Sequence, residues 1–278
     1  MQQAQPKHPL TVLVAIALGS GLAVMSLASA EEAATDEDEA ILNLTLGAGV
    51  GYEPDYEGSD DYEVSPFPFV ELNAFGGLAS LSIGGLRALL PLTDHAFVGA
   101  GVGYDFGRDE DDNDALEGLG DVDGSVFGQL VGGYALDPLS FALIVSGDIG
   151  DIGGKGHEGY TVDVQAGYEV ELIEDKAGLS FGTGLTWASE NYTEAFFGVS
   201  AAQAAASGLD QFDTEAGFKS AGVELGASYR LTDSVGLQLE LGYSRLLGDA
   251  ADSPIVADEG SPNQFSTSLV LTVGFDLL

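Results

Sequence analysis

Cysteine is absent from the sequence, which excludes disulfide staples, thiolate metal sites and cysteine nucleophiles. Basic residues are scarce: 8 lysines and arginines stand against 45 aspartates and glutamates, for a formal net charge of −37. No basic footprint exists to neutralise phosphates, so nucleic acid is excluded as a partner. Beyond the first thirty residues no apolar run reaches the length of a membrane-spanning helix, which excludes a helical membrane protein. The acidity itself fits either a functional polyanion or adaptation to high salt, where mutual repulsion is screened within a few ångströms. The acids are spread along the whole chain, which favours the halophilic reading.

What is present begins with Lys7 and His8, then the apolar stretch "LTVLVAIALGSGLAVMSL", then "ASA" at 28–30 and at once "EEAATDEDEA". A weakly basic start, an apolar centre and a small-residue site are the parts of a secretory signal, with cleavage expected after Ala30. An uncleaved anchor helix is the rival reading; Gly19, Ser20 and Gly21 in the middle of the stretch favour cleavage. The expected organisation is a signal over 1–30, an acidic segment over 31–40 and one domain over 41–278.

Forty glycines sit among valines, leucines and aromatics rather than in a fixed period. The dominant pattern is apolar residues at every second position, the period of a strand with two different faces. In "ILNLTLGAGVGY" Leu42, Leu44, Leu46, Ala48, Val50 and Tyr52 share one face, and Asn43, Thr45, Gly47, Gly49 and Gly51 the other. "YTVDVQAGYEVEL", "LSFGTGLTW", "AGVELGASYRL" and "VGLQLELGY" repeat the split; in residues 124–135 neither face is cleanly apolar. A soluble sheet hides its apolar face and shows charged, long side chains outside. Here the polar face is mostly glycine, serine and threonine, as a confined interior requires, and the apolar faces end in Tyr52, Tyr104, Tyr134, Trp187, Tyr229, Tyr243 and Phe275, where interfacial girdles sit. The expectation is an all-β, up-and-down antiparallel barrel in the outer membrane of a Gram-negative cell.

Short connections at 73–77, 92–95, 136–138, 173–176 and 231–234 read as periplasmic turns, and the polar stretches 53–63, 107–123, 151–158, 190–217 and 248–263 as external loops. The strand count closes at twelve if "GLASLSIGGLRALLP" is a hairpin turning at Gly84–Gly85, and at ten otherwise.

The first loop is irregular because Pro54, Pro66 and Pro68 cannot donate to a ladder. Its acids offer a calcium site or a plain solvated loop. The run "DEDDNDALEGLGD" at 109–121 fails the calcium-loop template, with Asp114 where glycine and Gly120 where glutamate is required. His157 beside Glu158 offers a general base with an orienting carboxylate, or a structural loop histidine; no "GxSxG" elbow accompanies it. Alternation turns Asp163, Glu169, Glu171, Glu224, Arg230 and Glu240 inward, where carboxylates would favour cations in an open lumen, or pair with Arg230 and water in a plugged one. No cofactor or metal is expected, and no enzyme chemistry.

The blocks "PDYEGSDDYEVSPFPF", "YDFGRDEDDNDALEGLGDVDGS", "HEGY", "TWASENYTEAFFGVSAAQAAASGLDQFDTEAGFKSAGVELGASYRLT" and "LLGDAADSPIV", in this order, resemble the MipA/OmpV family of outer-membrane proteins. The matching positions are Pro54, Tyr56, Gly58, Ser59, Pro66 and Pro68; Gly107, Arg108, Gly118, Leu119, Gly120 and Asp121; and His157 with Gly159. They continue through Trp187, Ala188, Ser189, Tyr192, Phe197, Gly198, Val199, Ser207, Gly208 and Leu209 to Gly248, Asp249, Ala250, Ser253 and Pro254. The resemblance implies a non-catalytic barrel in outer-membrane lipid. It also implies a scaffold that brings a murein transglycosylase together with a murein synthase, with a porin-like channel or adhesin as alternative. It implies no active site. Most of these positions fall in external loops, away from periplasmic partners: either the loops fold into the barrel as a plug, or the scaffold role does not extend to this chain.

Overall fold

The computed structural model describes residues 41–150 and 156–277; the signal and acidic segments expected at 1–40 lie outside them. The strands are β1 (Leu42–Pro54), β2 (Tyr62–Ala74), β3 (Ala79–Ser82), β4 (Gly85–Pro91), β5 (Ala96–Asp105) and β6 (Ser125–Leu136). There follow β7 (Leu139–Gly150), β8 (Tyr160–Ile173), β9 (Ala177–Ala188), β10 (Gly217–Arg230), β11 (Val235–Leu246) and β12 (Asn263–Asp276). Each pairs antiparallel with its neighbours in the chain, and β1 closes on β12 from Asn43↔Asp276 to Tyr52↔Thr267. The result is a closed twelve-strand barrel. Backbone groups in hydrocarbon must be paired within the protein, and closure is how strands achieve this.

The hairpin that decides the strand count forms, but it turns through Ile83–Gly84 rather than Gly84–Gly85. Ser82 pairs with Gly85, which is already the first residue of β4. The long connections carry four short helices, α1 (Glu190–Phe197), α2 (Ala201–Ser207), α3 (Gly248–Asp252) and α4 (Pro254–Ala257), and two single 3-10 turns over Glu110–Asp112 and Asp114–Leu116. They all lie at one end, towards which the turn at Ile83–Gly84 also points, and the other short turns lie at the opposite end, so the long-loop end is external and the short-turn end periplasmic.

The apolar faces point outward: Leu46, Val50, Leu130, Leu143, Val164, Phe181, Leu241 and Leu271 are exposed on the outer wall, as contact with lipid requires. β6 looked ambiguous because neither of its faces is cleanly apolar, with Gly128 and Gly132 on one and Ser125 and Gln129 on the other. Leu130 and Tyr134 face lipid, while Val131 turns inward onto Phe97, Ala142 and Ile144, with Leu89 against them. Inward side chains at mid-height are as buried as a soluble core: Val131 is 4% exposed, Gln165 7%, Gln238 8% and Val270 0%. A water-filled tube would leave them accessible, so the middle of this barrel is packed.

Glycine makes that packing possible. Gly49, Gly103 and Gly133 stand opposite Phe67, Phe127 and Phe97 on the next strand. In each pair the phenylalanine ring occupies the space a β-carbon on the glycine would take, with ring atoms 2.5 Å from that position at Gly49 and Gly103. Cross-strand pairs of this kind fill an interior with rings laid over bare backbone. Gly133→Val is expected to cost about 1–3 kcal/mol by overpacking. Phe97→Ala should cost about 3–5 kcal/mol, and the double variant less than the sum, because the clashing ring is gone. Urea unfolding of the barrel in vesicles measures all three.

Candidate functional site

The loops between β1 and β2, β5 and β6, and β9 and β10 leave the wall four strands apart in the twelve-strand order. Contacts among all three are therefore made across the mouth. Tyr56, Leu116, Leu119, Val199 and Ile255 form one buried cluster there, and Phe196, Phe197, Leu246, Ala250 and Val256 a second. The first draws on four segments far apart in sequence, and the second joins two, with Val122 of a third packed against it, so together they form a cap over the external end.

Polar bonds fix the cap's seams. Gly58 N–H donates to Gln264 Oε1 at 3.0 Å, Ser261 N–H donates to Gly58 O at 2.8 Å, and Ser59 bridges to Gly260. Gly58 is held at φ +105°, and a β-carbon on it would press into Val256, which leaves no room for another residue. Arg108 Nη1 donates to Phe196 O at 2.7 Å, Gln203 Nε2 to Leu119 O at 2.5 Å, and Ser253 Oγ to Phe197 O at 2.6 Å. Burial pulls the Arg108 guanidinium below its ordinary pKa, but it stays charged. α2 begins with a capping box of Ser200 and Gln203 and ends at Gly208 in the left-handed conformation, φ +86°, as helix ends commonly do.

At the centre Lys219, 3% exposed, donates to Glu57 Oε1 at 2.7 Å and to the Tyr192 hydroxyl at 3.3 Å, with its ammonium 4.9 Å from the Tyr192 ring centroid. A bulge between Phe218 and Ser220 lets β10 turn Lys219 inward. Burial raises the Tyr192 phenol above its ordinary range, Lys219 acting against it, and burial pushes Tyr56 up to about 12.

His157 is built into the same cap. Its Nδ1 accepts from Gly159 N–H at 3.0 Å, which leaves the ring proton on Nε2, 3.5 Å from Asp148 Oδ1 and 3.6 Å from Asp105 Oδ2. The ring packs on Tyr192 and Phe196. The carboxylates beside it are thus Asp105 and Asp148 rather than Glu158, whose N–H donates to Asp148 Oδ2 and whose carbonyl accepts from Asn191. The hydroxyl at this cluster, Ser125 Oγ, donates to Asp148 Oδ1 at 2.5 Å.

The other positions singled out in sequence fall into place around these. Pro54 ends β1. Glu110 Oε2 accepts from Gly118 and Gly120 N–H, Asp121 Oδ1 accepts from Glu110 N–H, and Asp109 caps the first 3-10 turn, so this acidic run binds its own backbone. Ser189 Oγ accepts from Tyr160 N–H, Gly198 ends α1, Ser207 Oγ donates to Gln203 O, and Asp249 Oδ2 accepts from Glu215 N–H. Phe197 is fully buried and Pro254 opens α4. Trp187 is the exception: it faces lipid beside Tyr160, rings 5.6 Å apart.

Asp163, Glu169, Glu171, Glu224, Arg230 and Glu240 lie on the inward side of their strands, in register with Thr186, Ser180, Gly178, Gly242, Gly236 and Ser268. Asp163 Oδ1 accepts from Thr186 Oγ1 at 2.6 Å, and Glu171 Oε1 from Asp175 N–H. Sequence reading missed Lys219, Glu57 and Asp148. A lysine at the head of an apolar strand, in a chain so poor in lysine, was the available signal for the first.

The model of a family described as MltA-interacting protein MipA matches residues 46–275. No curated protein matches the chain. Among solved structures it is similar to the CymD monoaromatic hydrocarbon channel at 12% identity and TM-score 0.43, covering 84% of this chain and 89% of that one. It is also similar to OmpT of Vibrio cholerae at 10% identity and TM-score 0.38, covering 86% and 99%. OprD of Pseudomonas aeruginosa stands at 14% identity and TM-score 0.35, covering 87% and 67%.

Lys219→Met leaves Glu57 buried without its cation and is expected to cost about 3–5 kcal/mol, read as protease cleavage within 190–216 while the barrel's heat-modifiable migration persists. Tyr56 gives a pH test. Its raised pKa means that its share of cap stability is complete below the ordinary phenol value of about 10 and falls as pH rises through about 12. Ultraviolet titration is expected to show a phenolate that appears only in that late range, and Tyr56→Phe to remove it.

Proposed function

The chain belongs to the MipA family of outer-membrane barrel proteins, and from that membership we propose that its role is structural and non-catalytic. It holds a murein transglycosylase, and through it a murein synthase, at the outer membrane. The family description, which names interaction with MltA, supports the partner. The observation that carries the non-channel part is the double closure, a packed interior at Val131, Gln165, Gln238 and Val270 beneath a loop cap. A passage for solutes needs neither.

His157 supports the non-catalytic part, since one ring nitrogen is taken by Gly159 N–H, the other faces two carboxylates, and its side chain is 6% exposed. A general base must reach the proton it removes. The alternative, a small cation-favouring pore, draws on the inward Asp163, Glu169, Glu171, Glu224 and Glu240. It requires the cap and the packed middle to move aside. An adhesin reading draws only on the acidic external surface.

Among the described residues, partners on the periplasmic side would meet the short turns, such as 92–95, 137–138 and 231–234. Crosslinking in intact envelopes, followed by purification of the folded chain, is expected to recover a murein transglycosylase joined to that rim. Recovery of no murein enzyme would count against the scaffold. In planar bilayers the folded protein is expected to be electrically silent, and a steady cation-selective current would replace the scaffold by the pore.

A further inference from the structure

The barrel wall has one break in its ladder. β3 pairs with β2 only from Glu71 to Ala74, and β4 reaches β5 only as far as Leu86↔Val102. Above the hairpin tip, Tyr62–Val70 of β2 pairs on the β1 side alone and Tyr104–Asp105 of β5 on the β6 side alone, while Gly103 still lies against the tip at Gly84 and Gly85. No strand pairs between β2 and β5 there, so the ladder is not continuous from one to the other.

The direction of the β2 backbone is set by its ends. Phe75 N–H donates to Ile41 O and Asp55 N–H to Asp61 O, so odd-numbered residues of β2 turn their polar groups to β1, and even-numbered ones away. Val64, Pro66, Pro68 and Val70 therefore aim main-chain groups into the break. Two of these four positions are proline and carry no N–H.

The break opens to lipid just below the external girdle, between Tyr52 on β1 and Tyr104 on β5. Its rim is apolar: Val64, Val70, Ile83 and Leu86 are all exposed on the outer wall. Its inner lining is aromatic. Phe67, Phe69 and Phe127 are only half-buried, whereas Phe97 and Val270, on fully paired parts of the wall, are buried.

An added strand, from a partner or a second copy, would need donors from every second residue of this edge, and Pro66 and Pro68 supply none. An apolar chain needs no donors, and the missing N–H groups lower the cost of leaving this edge unpaired in hydrocarbon. We propose that the break is a lateral binding site for the acyl chain of an outer-leaflet lipid, seated between β2 and β5 against Phe67, Phe69 and Phe127.

The test uses the single tryptophan. In a Trp187→Phe background, Phe67→Trp, Phe97→Trp and Phe181→Trp report the break, a sealed inward position and the lipid-facing wall. Each is refolded into phosphatidylcholine vesicles with brominated acyl chains, with heat-modifiable migration as the check on folding. The expected result is quenching of the tryptophan at 67 close to that at 181 and several-fold above that at 97. Quenching at 67 no greater than at 97 overturns the proposal and means that protein or water seals the break. Should the tryptophan at 67 prevent folding, a nitroxide on Ser65→Cys, unique in a cysteine-free chain, decides instead. Collisions with oxygen favoured over a water-soluble nickel chelate support an acyl chain, and the reverse overturns it.

Discussion

The structure depends on one constraint: inside a bilayer each main-chain N–H and C=O must find its partner within the protein. Closure of β1 onto β12 meets it around almost the whole wall. The constraint also inverts the ordinary relation between sheet and core. Leucine, valine and aromatics turn outward because lipid is the apolar phase, and glycine, serine and threonine turn inward because the interior has little room. Where the ladder fails, above the β3–β4 hairpin, proline appears at alternate edge positions.

Once the wall is closed, the interior becomes a packing problem rather than a passage. On the β4–β7 side it is solved with phenylalanine rings over glycine, Leu89, Val131 and Ile144. On the β8–β12 side amides, hydroxyls and carboxylates line it, and Gln165 Oε1, Gln238 Oε1 and Ser228 Oγ have no hydrogen-bond partner among the described residues, a pattern suited to a few internal waters. The cap then covers the external end with two apolar clusters and a buried ion pair. Two of the few basic side chains, Lys219 and Arg108, lie inside the protein, so the external surface is left with acids and little to offset them.

The cap changes what the family-signature positions mean. Gly58, Ser59, Arg108, His157, Ser189, Phe197, Gly208 and Ser253 all lie in the connections at the external end. They make the bonds, turns and packing that hold the loops to each other. An acidic run that resembled a metal loop binds its own backbone, and a histidine that resembled a base is a strut between Asp105 and Asp148.

Barrel class and strand count were legible in the sequence, because a strand's two faces alternate residue by residue and the pattern is local. β6 escaped that reading, since neither of its faces is cleanly apolar. What only the tertiary structure decided is the closure of the mouth. Lys219 meets Glu57 across 162 residues, Gly58 meets Gln264 across 206, and Arg108 meets Phe196 across 88. No periodicity encodes such contacts; they exist because a closed wall brings loops four strands apart to the same mouth, and the break beside them exists because one hairpin is too short to reach it.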